Sequence, residues 1–161
     1  MEKLDNLDVN GFISNTLIDV FDTMVSMEVA PTKMDPEKFV GHDLIVGSVG
    51  FAGKVLGNIN LLLTYDFARI ITAKILGMEE DEIEGDEEVN DVLGELSNMI
   101  GGDIKSRLCD AGLPCELTIP SITSGKQFKI ESKGWARHES LTFKQENYMM
   151  LVEVYIRNSD S

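Results

Sequence analysis

Four residues in the segment Asp91-Val-Leu-Gly-Glu-Leu-Ser-Asn-Met-Ile-Gly-Gly102 recur at intervals that suit chemistry on one side of a helix. Asp91, Glu95, Asn98 and Gly102 follow one another at spacings of four, three and four. With each residue turning by about 100°, they fall in a single polar stripe. Val89, Leu93, Leu96, Ile100 and Ile104 fall on the other side and form a core-facing stripe. Glu95 offers a carboxylate, an acceptor suited to a cation. Asn98 offers a carboxamide with one acceptor and two donor hydrogens and no charge.

The segment carries these residues at a cost. Asparagine is a mediocre helix former because its side chain competes for backbone hydrogen bonds. Gly94, Gly101 and Gly102 each cost about 1 kcal/mol relative to alanine in a helix interior. Glycine at such a price implies close approach of something to the backbone. The reading we carry forward is a partner protein docked on this helix, with Glu95 and Asn98 acting on it. A solvated face of an amphipathic helix also shows polar residues at these positions, and on spacing alone the two readings are even.

Composition narrows the classes of partner. The chain has 161 residues, 43% hydrophobic and 26% charged, which predicts one soluble globular domain spanning residues 1–161. Its formal net charge of -14 argues against nucleic acid and against anionic membrane, since both must be met by clustered Lys and Arg. No apolar run reaches membrane-spanning length, and the N-terminal MEKLDNLDVNGF lacks a basic region followed by an apolar stretch. The expected location is the cytoplasm. Cys109 and Cys115 are six apart, not in a CxxC, and reduced thiols are expected; His42 and His138 are distant, so no metal site is expected.

Periodicity supplies the elements that must position the stripe. A first helix is predicted over residues 10–27, capped by Asp8 or Asn10, and a β-hairpin follows over residues 44–63. Asp66 is expected to cap a short helix over 67–76 that stops at Gly77. The acidic run 79–91 leads into the central helix over 86–110, which Gly112 and Pro114 end. Strands are predicted over 115–122, 128–132, 139–144 and 148–157, with Gln145, Glu146 and Asn147 as a tight connection. The fold class is α+β: an antiparallel sheet packed against long helices, in two faintly repeated halves that each begin with a helix.

The order Asp91-xxx-Glu95-xx-Asn98, followed by NMIGGDIKSRL and by Pro120 in LTIPSITSG, resembles the CheC/CheX family of bacterial chemotaxis phosphatases. The resemblance extends over most of the chain and is nearer to the single-site CheX type. IDVF and FDTM stand where a second Glu-x-x-Asn would lie, with Phe21 at the place of its asparagine.

This resemblance implies a substrate, the phospho-aspartate of a CheY-type receiver domain, and a homodimer associating through its sheets. By the same resemblance Glu95 pairs with the receiver's active-site lysine and Asn98 places the attacking water. The receiver supplies its own lysine and Mg²⁺, so no cofactor is expected on this chain, and positioning a water is the remaining task. A carboxamide suits that task because a second carboxylate would repel the phosphoryl group. Asp91 contacts the receiver surface or caps the stripe, and Gly101 and Gly102 admit its loops. Two other classes compete: a non-catalytic CheX-like adaptor, which needs the docking face but not Asn98, and a metal-dependent hydrolase built on the acidic run 79–91, which lacks histidine support.

Overall fold

Two ten-residue apolar-rich runs produce the centre of the molecule. In the computed structural model, which describes residues 2–126 and 137–159, these runs pair as a long antiparallel hairpin. A four-residue helix α1 (Glu2–Asp5) and the first long helix α2 (Val9–Val20) come first, then a short strand β1 (Ala30–Thr32) and the hairpin β2 (Leu44–Gly53) and β3 (Val55–Thr64). Helix α3 (Tyr65–Leu76) precedes the central helix α4 (Asp86–Asp110). The chain continues through β4 (Cys115–Leu117), β5 (Ser121–Gly125), β6 (Arg137–Gln145) and β7 (Tyr148–Asn158). The architecture is α+β, with a seven-stranded sheet in the order β1-β6-β7-β3-β2-β4, β5 also pairing with β2, and every pairing antiparallel.

Alternation puts one face of this sheet against the three long helices. Ile45 and Val49 of β2, Ile59, Leu61 and Leu63 of β3, and Val152 and Val154 of β7 are buried there. They share a core with Ile13 and Leu17 of α2, Phe67 and Ile71 of α3, and Leu93, Leu96, Ile100 and Ile104 of α4. Each such side chain contributes about 1.5–3 kcal/mol on burial, so α4 is fixed by its apolar stripe. A smaller cluster of Phe39, Leu44 and Met149 forms separately with Leu62 and Leu151 packed against it.

Several expected boundaries move, each for a local reason. The first helix starts where Asp8 accepts from the Gly11 amide at 3.0 Å, then widens into a π-helical turn over Phe21–Val25. Ser26, in the left-handed region at φ 59°, stops it short of residue 27. Thr64, not Asp66, caps α3: its hydroxyl accepts from the Phe67 amide at 3.2 Å, which leaves Asp66 in the first turn beside the positive end of the dipole. Gly77 ends α3 at φ 67°, and Glu146 takes φ 54° in the turn between β6 and β7. The strand expected over 128–132 lies outside the described residues.

The strand expected over 115–122 is two strands, because one extra residue interrupts it. Leu117 lies opposite Phe51 and Ser121 opposite Ser48, so three residues, 118–120, face the two residues Gly50 and Val49 of β2. This is a β-bulge at the sheet edge, a device that bends a strand and re-aims a side chain. The Thr118 amide donates to the Gly50 carbonyl at 2.9 Å, and the Thr118 hydroxyl accepts from the Gly50 amide at 2.8 Å.

Candidate functional site

Helix α4 begins with Asp86, Glu87 and Glu88 in its first turn, where the backbone dipole favours carboxylates, and Glu88 also accepts from the Glu84 amide at 2.8 Å. Tyr65 donates its phenolic hydrogen to Asp86, tying the start of α4 to the start of α3. Burial, reinforced by that carboxylate, pushes the Tyr65 phenol up to about 12. At the other end Gly112 turns the chain at φ 85° and the Leu113 amide closes on the Leu108 carbonyl at 2.9 Å.

Side contacts fix the helix's rotation. The Thr16 hydroxyl of α2 donates to Asp103 at 2.5 Å, and Arg107 pairs with Asp103 at 3.0 Å and with Asp19 at 3.6 Å. On the opposite flank Lys105 meets Glu116 of β4 at 2.8 Å. Toward the sheet, Ser97 is buried and turned back to donate to the Leu93 carbonyl at 2.8 Å. It sits under Gly47: a Cβ at Gly47 would stand 2.2 Å from the Ser97 hydroxyl.

What these contacts leave outward is the predicted polar stripe. Asp91, Glu95 and Asn98 are all exposed, and Gly102 is half-buried in line with them. Among the described residues none of the three side chains has a hydrogen bond or ion pair. Glu95 and Asn98 stand about 4.5 Å apart along the helix axis, close enough to engage one small target together. Asn98 and Lys105 are seven residues apart and share a side of the helix, so Asn98 leans toward the edge formed by β4 and β5, where Lys105 finds Glu116.

The glycines divide by face, and here one expectation is corrected. Gly101 does not open the helix to a partner: it is buried, and a Cβ there would stand 2.7 Å from Val49 Cγ1. The close approach that it permits is between α4 and its own sheet. Gly102 does face outward, its Cβ position meeting only Leu117 Cδ1 at 4.0 Å, and Gly94 has nothing within 4 Å.

The acidic run is used locally. Glu79 and Glu82 form a capping box on a 3-10 turn over Glu80–Glu82, and Arg69 donates to the Glu80 carbonyl at 2.8 Å. Among the described residues no three His, Cys, Asp or Glu side chains come together in an arrangement that could hold a metal. Cys109 and Cys115 carry free thiols, and burial raises the Cys115 thiol above its ordinary value. No helix among the described residues is long and apolar enough to cross a membrane.

A protein family described as "Chemotaxis phosphatase CheX" matches residues 45–144, more than half of the chain. The chain is also 30% identical over 128 residues to the CheY-P phosphatase CheX of Thermotoga maritima, spanning 76% of this chain and 81% of that one. This chain belongs to the CheX family. Solved structures share its CheX-like fold. A CheC-like superfamily protein from a Shewanella species superposes with a TM-score of 0.79 at 26% identity, covering 95% of this chain and 99% of the other. The CheX of Borrelia burgdorferi, solved in complex with CheY, BeF3 and Mg²⁺, superposes at 0.77 and 23% identity, covering 95% and 100%. Phe21, the residue expected at the place of a second asparagine, is fully buried at the start of the π-helical turn. Only α4, of the two helices compared, offers an outward Glu-x-x-Asn pair.

Proposed function

We propose that this chain hydrolyses the phospho-aspartate of a CheY-type receiver docked on α4. The observation that carries the reading is the unpartnered, outward pair Glu95 and Asn98 on a helix whose other sides are all anchored. A side chain that needs to meet an external group must have no internal partner to leave, and its backbone must not yield. Both conditions hold here.

In this reading Asn98 accepts a hydrogen from the attacking water through its carbonyl and donates from its amide to a phosphoryl oxygen. The water is held in line with phosphorus without added negative charge. A hundredfold acceleration needs about 2.7 kcal/mol, within reach of one well-placed polar group. Glu95, one turn earlier, forms an ion pair with the receiver's lysine and so sets the angle at which Asn98 enters. Asp91 contacts the receiver surface, and Gly102 lets its loops come near the helix. The Mg²⁺ of this chemistry is expected on the receiver, in keeping with the BeF3 and Mg²⁺ of the Borrelia burgdorferi complex.

The experiment is phosphate release from a phosphorylated CheY-type receiver with wild-type protein and Asn98→Ala. Loss of acceleration with retained receiver binding supports hydrolysis. Binding without acceleration by the wild type makes the chain an adaptor. We also propose that it works as a homodimer joined through its sheet.

A further inference from the structure

Ile119 is the most exposed large apolar side chain among the described residues, at 90%, ahead of Val40 at 67%. It owes this to the bulge, which interrupts the alternation that would otherwise send every second side chain of β4–β5 toward the helices. Leu117 still faces α4, packed near Gly101 and Gly102, and Ile122 faces it again opposite Gly47. Their separation of five is odd, so the extra residue lies between them, and Ile119 is the one turned to solvent.

The bulge also sets where Ile119 stands along the helix. Lys105 and Glu116 are in contact at 2.8 Å, and from there α4 and β4 run in opposite chain directions. Ile119 lies three residues on from Glu116, at most about 10 Å along the chain. Seven residues back along α4 from Lys105 reach Asn98 over about the same distance. Val49 closes the comparison, since it lies against Gly101 and also opposite the bulge. Ile119 is therefore level with the turn from Asn98 to Gly102, on the flank toward which Asn98 leans.

We propose that Ile119 is an apolar anchor for the receiver, a binding contact beside the polar pair; this rests on the function proposed above. Continuity with the α4 stripe favours that occupant over a second copy of this chain. Strand-to-strand association at this point is opposed by the bulge and by Pro120, which has no amide hydrogen to offer. The occupant therefore meets a side chain and not a strand edge, beside the α4 stripe. An exposed isoleucine contributes nothing to the free protein's core, so its contribution appears only on docking.

The test measures steady-state dephosphorylation of a Mg²⁺-loaded, phosphorylated CheY-type receiver, and binding of its beryllofluoride form. Wild type, Ile119→Ser, Ile119→Val, Asn98→Ala and, as a distant control, Val40→Ser are compared. Ile119→Ser is expected to raise KM and the beryllofluoride Kd about tenfold with kcat within twofold. Ile119→Val should recover most of the affinity, and Val40→Ser should match wild type. Unchanged KM and Kd in Ile119→Ser overturn the anchor while loss of kcat in Asn98→Ala leaves the function standing. A change in solution mass with unchanged receiver affinity also overturns it and makes the occupant a second copy. A wild type that neither binds nor dephosphorylates any receiver of its own cell overturns anchor and function together.

Discussion

Val49 Cγ1 stands 2.7 Å from where a Cβ on Gly101 would lie, so the sheet and helix α4 touch at the residue next to the outward-facing Gly102. Two adjacent glycines thus do different work. One brings the helix down onto β2, and the other keeps the outer surface low one turn beyond Asn98.

Gly101→Leu is expected to destabilise the protein by about 1–3 kcal/mol, the usual effect of overpacking a filled core. Val49 is buried and β-branched, so it has little freedom to give way. Urea unfolding of the variant checks this, and Val49→Ala in the same chain should restore part of the loss. A Gly101→Leu protein as stable as wild type would remove the packing explanation.

Gly102→Leu should behave oppositely. The nearest heavy atom to its Cβ position is Leu117 Cδ1 at 4.0 Å, so folding stability should stay within about 0.5 kcal/mol of wild type or rise slightly. Its effect should appear as a raised KM for the phosphorylated receiver. Comparing the midpoint of unfolding with KM separates the two glycines in one pair of variants.

This division shows where sequence reading reached its limit. The stripes of α4, the hairpin, the Gly77 and Gly112 stops and the α+β class follow from periodicity and turn chemistry, both local. Periodicity also sets Gly102 in the polar stripe, but Gly101, about 100° further round, falls in neither stripe, and the contact with Val49 is what places it against the sheet. The bulge had a local signature that a strand drawn straight through 115–122 overlooked. Leu117 and Ile119 share one parity, Ile122 has the other, and Pro120 lies between them. Thr64 rather than Asp66 capped α3 for a tertiary reason, because the Tyr65 amide is bonded at 2.8 Å to Asp43 and the strand runs one residue further.

Tyr65 should ionise later than an ordinary tyrosine. Its phenol is pushed up to about 12 by burial and by Asp86, against an ordinary value near 10. An acid whose folded value is raised stabilises the fold fully below the unfolded value and loses that contribution as pH climbs through the folded one. Stability should therefore fall between about pH 10 and pH 12. Ultraviolet titration at alkaline pH should show a late phenolate in wild type that Tyr65→Phe lacks. Wild-type and Tyr65→Phe curves that differ only by a phenolate ionising near 10 would contradict the assignment.

A dimer should appear as twice the chain mass of 17.8 kDa by light scattering at micromolar concentration. Both sheet edges limit how it can form: β1 contains Pro31, and the β4–β5 edge is broken by the bulge and Pro120. Disruption by charged substitutions within β5, the edge stretch of five residues without proline, would locate the contact. A monomeric mass across the micromolar range would exclude the dimer.

The most direct test of the central claim is the rate of phosphate release from a phosphorylated CheY-type receiver, measured for wild type and Asn98→Ala under saturating conditions. Water positioning by Asn98 predicts a drop in kcat of about a hundredfold, equivalent to about 2.7 kcal/mol, with receiver affinity nearly unchanged. An Asn98→Ala protein that dephosphorylates the receiver as fast as wild type would contradict it.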